Sequence, residues 1–457
     1  MTIVEAAKPY LQRCIEPDCR ATYDLNDRLY VCERCGGLLD IEFTGELDAT
    51  ELKSVWRERR TSFAASDQSG VWRFRELLPF ATDTPIVSLR EGNTPLYDAP
   101  RSASYCNLDS LKLKHQGLNP SGSFKDTGMT TAVTQARLLG SHWVACASTG
   151  NTAASLAAYA AQANLLCAIL VPAGQISHAK LAQALDYGAK VLQLEGNFDD
   201  AMNTVRELAK QDWIYLVNSI NPFRIEGQKT VAVELLEQLD WQVPDHLVVP
   251  GGNLGNSSAF GKGFRELLQL GFIDRAPQIS VVQASGAAPF ARLYATHGPS
   301  GEQLQIVNEE QPHTLASAIK IGAPVSWKKA WRAVAGTNGT VLTVSEQEIA
   351  DAKAIIGRDG IGCEPASATT VAGIKKLVAA GSIRKTDSVV AILTGHVLKD
   401  TDYVINYHQQ TLHTSWGPES GRSIAGRFSN LPVQVEAGLT AIERVLNEMR
   451  EQETASD

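Results

Sequence analysis

The sequence lacks a run of about eighteen consecutive apolar residues, the length a helix needs to cross a bilayer, so we expect no membrane span and no membrane partner. It also lacks a long basic run. Its pI is near 5.7 and its formal net charge is −8, which argues against nucleic acid as a partner. Residues 1–14 lack the charged-then-apolar pattern of a signal peptide. These absences predict a cytoplasmic protein.

The eight cysteines are too few and too unevenly placed for a disulfide framework in a chain of 457 residues. Four of them form two pairs near the start of the chain, C-x4-C and C-x2-C: Cys14, Cys19, Cys32 and Cys35. Four thiolates in two pairs suit a tetrahedral zinc ion, so this segment predicts a zinc ribbon with a structural metal. Reduced thiols in a ribbon without metal are the alternative. Between the pairs, DRLYVC (27–32) predicts a strand.

From residue 142 onward, short apolar runs alternate with segments of helical periodicity. The runs HWVACAS, LLCAILVP, HLVVPGG, QISVVQASG and SVVAILTGH are rich in Val, Ile and Leu. Such runs, separated by helices, are typical of parallel strands that are covered on both faces. With 44% hydrophobic and 20% charged residues, the composition is that of a globular protein. We therefore expect an α/β protein with open parallel sheets.

A lysine in a turn is the first candidate for chemistry. The segment LNPSGSFKDTGM (118–129) places Lys125 after a bend rich in Pro, Gly and Ser and directly before a predicted helix. Such a placement can remove water from the amine and lower its pKa, as a Schiff-base lysine requires. A solvated lysine at a helix entry is the alternative interpretation.

Three further segments follow predicted strands. ASTGNTAAS (147–155) offers hydroxyls and an amide beside free backbone N–H groups, a setting that suits a carboxylate. VVPGGNLGNSSAFGKGF (248–264) has glycines that let the backbone close round a phosphate. Ordinary helix caps and a structural turn are the alternatives. VVAILTGHVLKD (389–400) places Thr394 at the end of a strand, where α/β sheets bind ligands, and His396 beside it as a proton-transfer group or a packed histidine.

Together these segments resemble the fold-type II pyridoxal-phosphate enzymes, the tryptophan synthase beta-like family, and within them the threonine synthase family. The resemblance extends over residues 85–400. It rests on the segments LREGNTPL (89–96), NPSGSFKDTGM (119–129), STGNT (148–152), NSINPFRIEGQKT (218–230), GGNLGN (251–256), EPASA (364–368) and LTGHVLKD (393–400). The fold that it implies has two open parallel-sheet α/β domains with a cofactor cleft between them.

The resemblance implies pyridoxal 5'-phosphate as the cofactor and Lys125 as the catalytic lysine that binds it as a Schiff base. Asn151 would contact the phenolic oxygen of the cofactor, and Thr394 its ring nitrogen. The residues implied round the cofactor's phosphate are Gly251, Gly252, Asn253, Leu254 and Gly255. Those implied for the substrate's carboxylate are Ser148, Thr149 and Thr152. Those implied for the substrate's phosphate are Asn218, Ser219, Arg224 and Asn256.

The activity that the resemblance implies is the last step of threonine biosynthesis, in which O-phospho-L-homoserine and water become L-threonine and phosphate. It also implies a homodimer. The implied domains are a ribbon segment (1–45), a large cofactor-binding domain (46–117 and 226–457) and a small mobile domain (118–225). Another fold-type II enzyme, such as a cysteate synthase or a threonine/serine dehydratase, is the nearest alternative. A catalytically idle binding protein is a second, and the intact Lys125 argues against it.

Overall fold

The computed structural model describes residues 9–173, 178–196, 198–298, 305–417 and 420–454. Its first unit is a three-stranded antiparallel sheet in the order β2-β1-β3. The strands are β1 (Tyr10–Cys14), β2 (Thr22–Tyr23) and β3 (Leu39–Phe43). Helix α1 (Ala49–Arg59), capped by Asp48, and a 3-10 helix at Trp72–Leu77 connect this unit to the rest of the chain.

The prediction of a strand at DRLYVC is wrong, because this segment forms only an isolated bridge between Val31 and Leu38. Its apolar residues have another use. Leu29 packs against the core of the cysteine unit, and Tyr30 packs against the cores of the small sheet. The hydroxyl of Tyr30 also accepts the backbone N–H of Leu216 at 2.8 Å. Tyr30 therefore helps to dock the first unit onto its neighbour, while Leu29 packs within the first unit.

The larger sheet has six strands in the order β12-β11-β10-β13-β5-β4. They are β4 (Leu96–Asp98), β5 (Lys112–His115), β10 (His246–Pro250), β11 (Gln278–Ala284), β12 (Val341–Val344) and β13 (Val389–Leu393). All neighbours are parallel except β4 and β5, which are antiparallel. The helices of this part are α2 (Pro100–Cys106), α7 (Pro222–Gln238), α8 (Gly255–Gln269), α9 (Pro289–His297), α10 (Trp327–Ala335), α11 (Glu346–Arg358), α12 (Pro365–Ala379) and α13 (Thr401–His408).

Both faces of this sheet are covered, as the apolar runs predict. Along β10, Leu247 and Val249 face a core with α7 and α8, while Val248 faces a second core with α2, α11 and α12. Side chains alternate between the faces of a strand, so a run that is apolar at every position must be buried on both sides. The same alternation holds for Val390 and Ala391 of β13.

The smaller sheet has four parallel strands in the order β8-β7-β6-β9. They are β6 (Trp143–Ala147), β7 (Leu166–Pro172), β8 (Lys190–Leu194) and β9 (Tyr215–Leu216). The helices of this part are α3 (Lys125–Leu138), α4 (Asn151–Ala163), α5 (His178–Asp186) and α6 (Phe198–Lys210). All four strands lie within 118–225, the range expected for a small domain. The last helix is α14 (Leu439–Thr454).

Helices α3 and α7 cross at two glycines. A methyl group on Gly227 would lie 1.8 Å from the carbonyl oxygen of Thr127, and one on Gly128 would lie 2.6 Å from that of Arg224. No side chain fits at either distance, so glycine at both positions lets the helices touch along their backbones. This contact brings the first turn of α3 next to the first turn of α7. Within the described ranges, no helix combines the length and apolar character of a membrane span.

Candidate active site

The predicted site segments meet at the carboxyl ends of parallel strands from both sheets, where ligands bind in folds of this kind. Thr394 directly follows β13, and the glycine-rich segment directly follows β10. Backbone hydrogen bonds tie the lysine loop to the end of β13. The N–H of Phe124 donates to the carbonyl of Thr394 at 2.9 Å, and the N–H of His396 donates to that of Gly122 at 3.0 Å. Lys125 is therefore fixed beside Thr394.

Lys125 is the first residue of α3 and is partly exposed. Its Nζ lies 3.9 Å from the centre of the Phe124 ring, and within the described part of the chain it forms no hydrogen bond or ion pair. Burial and the nearby positive charge of Arg224 lower the pKa of Lys125 to about 7, against a weaker opposing effect of Glu364. Near neutral pH a large share of this amine is therefore uncharged and can act as a nucleophile or a base.

Arg224 lies in the first turn of α7 and is only 3% exposed. No carboxylate among the described residues pairs with it. One Nη lies 3.5 Å from the carbonyl oxygen of Val217, and its Nε has no partner there. Burial lowers the pKa of Arg224 to about 10, so the guanidinium stays charged. A buried charge without a counter-ion is unfavourable. A bound anionic ligand would therefore supply the counter-ion that Arg224 lacks among the described residues.

A third group joins two of the predicted cofactor-binding residues. The Glu364 carboxyl accepts a hydrogen bond from the Asn151 amide and another from the Thr394 hydroxyl, both at 3.0 Å. Burial raises the pKa of Glu364. The sequence segments imply no role for Glu364, although it begins the EPASA segment. A carboxyl group directly before a helix that starts with proline was the signal that could have identified it.

The glycine-rich segment forms the predicted turn at the start of α8. Leu254 has a φ of 64°, and Gly255 begins the helix. The first N–H groups of a helix have no acceptor within it, so this turn offers donors to an anion. The carboxamide of Asn256 is buried, and neither of its polar atoms finds a hydrogen-bond partner among the described residues. That of Asn253 donates to Ser219 Oγ at 2.9 Å and accepts from the N–H of Val325 at 2.7 Å.

The remaining predicted residues lie at the ends of β6 and β9. The Asn218 carboxamide accepts from the N–H of Ala147 at 3.0 Å and donates to its carbonyl at 3.1 Å, so it fixes the start of the STGNT turn. In that turn Ser148 Oγ accepts the N–H of Gly150 at 3.2 Å. Ser148, Thr149 and Thr152 are partly exposed in the same turn. The turn therefore presents three hydroxyls that are not fully buried.

The four cysteines of the first unit form a second candidate site. Their sulfur atoms all lie within 4.8 Å of one another, with Cys14 and Cys35 at 3.4 Å and Cys19 and Cys32 at 3.7 Å. A Zn–S bond of about 2.3 Å in a tetrahedron places sulfurs about 3.8 Å apart, so the spacing fits a metal ion. Backbone N–H groups also point at two of the sulfurs, at 3.4 Å in each case.

Comparison with known proteins agrees with the family that the site segments resemble. The family model for pyridoxal-phosphate dependent enzymes matches residues 87–395. The threonine synthase of Methanocaldococcus jannaschii is 44% identical over 440 residues, which are 96% of this chain and 100% of that protein. The threonine synthase of Methanosarcina acetivorans is 45% identical over 398 residues, 87% of this chain and 94% of that protein.

Solved structures with lower sequence identity share the fold. Threonine deaminase isoform 2 from Solanum lycopersicum matches with a TM-score of 0.58 and 19% identity, over 78% of this chain and 94% of that one. Maize serine racemase matches with a TM-score of 0.58 and 20% identity, over 70% of this chain and 94% of that one. The chain belongs to the fold-type II pyridoxal-phosphate-dependent enzymes and, within them, to the threonine synthase family.

Proposed function

We propose that this chain converts O-phospho-L-homoserine and water to L-threonine and phosphate. The observation that supports this substrate best is Arg224 next to Lys125: its guanidinium is buried, and no carboxylate in the described part of the chain pairs with it. A guanidinium binds phosphate through paired donors. Serine and threonine, the substrates of a dehydratase, carry no phosphate. A second anion site besides the STGNT turn therefore favours a substrate with both a carboxylate and a phosphate.

The residues of the cleft fit pyridoxal phosphate. Lys125 offers an amine that pairs with no counter-ion among the described residues, and the start of α8 offers backbone donors. We assign Gly251, Gly252 and Gly255 to the cofactor's phosphate. A methyl group on Gly251 would lie 2.6 Å from Val281, so a larger residue would close this turn. Asn151 and Thr394, joined through Glu364, are assigned to the ring.

When bound, pyridoxal phosphate supplies an aldehyde for the substrate's amine and a ring that accepts electrons from the attached carbon atoms. Lys125, whose pKa is about 7, would accept the proton from Cα, return it to the cofactor-bound substrate, and then accept the proton from Cβ. Arg224 would bind the phosphate that leaves from Cγ, where charge develops as the C–O bond breaks. A proton returned to Cγ gives the methyl group, water adds at Cβ, and a proton returned to Cα completes L-threonine. The hydroxyls of Ser148, Thr149 and Thr152 orient the carboxylate.

Replacing Arg224 tests the assignment. A buried, charge-assisted phosphate contact is worth roughly 2–5 kcal/mol when one partner is removed, so Arg224→Ala should lower kcat/KM for phosphohomoserine about thirtyfold or more. Cofactor absorbance should stay nearly unchanged, because the glycine-rich turn is a separate site. Arg224→Lys should recover only part of the loss, since an ammonium does not supply paired donors.

Arg137→Ala, at an exposed position of α3, is the control for these variants. Near-normal kinetics of Arg224→Ala would refute the phosphate site.

We also propose that Cys14, Cys19, Cys32 and Cys35 bind one structural zinc ion. Their mutual distances and the N–H groups directed at the sulfurs support this role. All four ligands come from the protein, so no open position is left for catalysis.

We further propose that the enzyme is a cytoplasmic homodimer with a small mobile domain at 118–225. The eight free thiols suit a reducing compartment. The family resemblance supports the homodimer, and sedimentation of the purified protein tests it.

A further inference from the structure

Gln228 is a buried polar residue of the cleft to which the comparison with the family assigns no role. It lies four residues after Arg224 on α7, so both side chains leave the same face of the helix. It is 3% exposed, and its Oε1 has no hydrogen-bond partner among the described residues. A buried amide oxygen that stays unpaired destabilises a fold by its lost hydration. The expectation is that a ligand pairs with it.

The neighbours of Gln228 show where its carboxamide lies. A methyl group on Gly128 would sit 2.7 Å from Gln228 Nε2, and one on Gly255 would sit 3.9 Å from Gln228 Oε1. Gly128 is one turn after Lys125 on α3, and Gly255 is the first residue of α8. The carboxamide therefore lies where the lysine-bearing helix, the Arg224 face of α7 and the start of α8 meet.

We propose that Gln228 binds the phosphate group of the substrate together with Arg224. This inference rests on the proposed function. A carboxamide can turn its NH2 group toward an anion, since its N and O ends are assigned from their surroundings. Its position on the Arg224 face favours the substrate's phosphate over that of the cofactor, for which the start of α8 already supplies backbone donors. The neutral carboxamide would help to orient the phosphate bound by Arg224 without adding a positive charge.

Two variants of nearly equal shape test this role. Gln228→Met removes the hydrogen bonds, and Gln228→Glu places a negative charge at the same point. Inorganic phosphate is titrated into each cofactor-loaded protein by calorimetry. We expect phosphate to bind about tenfold more weakly to Gln228→Met and still more weakly to Gln228→Glu. KM for phosphohomoserine should rise in the same order. The affinity for pyridoxal phosphate should change less than about twofold, and thermal melting identifies any variant that fails to fold.

Gln135→Met is the matched control, because Gln135 is also buried on a helix but donates to the carbonyl of Leu25, in the first unit. It should leave phosphate binding unchanged. Unchanged phosphate affinity in a folded Gln228 variant overturns the inference. A loss of cofactor affinity with normal phosphate binding also overturns it, since Gln228 would then belong to the cofactor site. If the wild type makes no threonine but phosphate affinity responds to Gln228, the proposed function fails while the phosphate site stands.

Discussion

Arg224 lies close enough to Lys125 to act on it, and no carboxylate among the described residues pairs with either side chain. The positive charge of Arg224 lowers the pKa of Lys125, in addition to the larger effect of burial. An anion bound at Arg224 would cancel part of this effect and raise the pKa of the lysine. Substrate binding would then make Lys125 a stronger base at the moment when a proton must be taken up.

The low pKa of Lys125 gives a testable pH dependence. Only the uncharged amine reacts with an aldehyde, so the rate at which cofactor-free protein binds pyridoxal phosphate should rise through pH 7 and level off above about pH 8. Arg224→Gln removes a charge that lowers the pKa, so its profile should shift to higher pH. Stopped-flow absorbance measures both. A rate that still rises at the ordinary lysine value of 10.5 would contradict the account.

At the scale of single residues, the recognisable segments of the sequence point to Lys125 and Arg224 as candidate site residues. It did not single out Glu364 or Gln228, because each belongs to a segment whose role depends on what lies across the cleft. Glu364 matters through its bonds to Asn151 and Thr394, which come from two other parts of the chain. Contacts between distant segments leave no local pattern to find.

At the scale of secondary-structure elements, the crossing of α3 and α7 sets the position of Lys125 relative to Arg224. Gly227→Ala would place a methyl group 1.8 Å from the carbonyl oxygen of Thr127, so the helices must separate. We expect a loss of stability of about 1–3 kcal/mol or more and a fall in kcat, because Lys125 and Arg224 stand on opposite sides of this contact. Gly357→Ala is the control, since a methyl group at Gly357, in α11, meets nothing within 4 Å and should stabilise the helix slightly. Thermal melting and steady-state kinetics compare the two. Equal behaviour would show that the crossing can relax.

The cysteine unit gives a second prediction. The purified protein should contain about one zinc per chain by elemental analysis. A double change of Cys32 and Cys35 to Ser should remove it and lower the stability of the first unit more than turnover per cofactor-loaded site. Cys167→Ala, in β7, should keep the metal. Protein prepared without chelators that holds no zinc would favour a ribbon without metal. A loss of chemistry at full cofactor loading would refute a purely structural role.

Elements were predicted well where burial alone sets the pattern. The runs that became β6, β7, β10 and β13 are mostly apolar, and both faces of their sheets are covered. DRLYVC also has apolar residues, but Leu29 packs in the core of its own unit and Tyr30 on the neighbouring sheet, without pairing as a strand. Apolar residues show that a segment is buried, and they do not show whether it pairs along its backbone.

At the scale of the whole molecule, two sheets bring their strand ends together round one lysine. Beside it lies an arginine that pairs with no carboxylate within the described ranges. This arrangement predicts a substrate with both a carboxylate and a phosphate. The most direct test is to incubate the cofactor-loaded protein in parallel with phosphohomoserine, phosphoserine and threonine, and to measure the amino-acid product and free phosphate over time. We predict that phosphohomoserine alone gives threonine and phosphate in equal amounts. Conversion of threonine to a keto acid, or of phosphoserine to another product, without threonine from phosphohomoserine, would contradict the account.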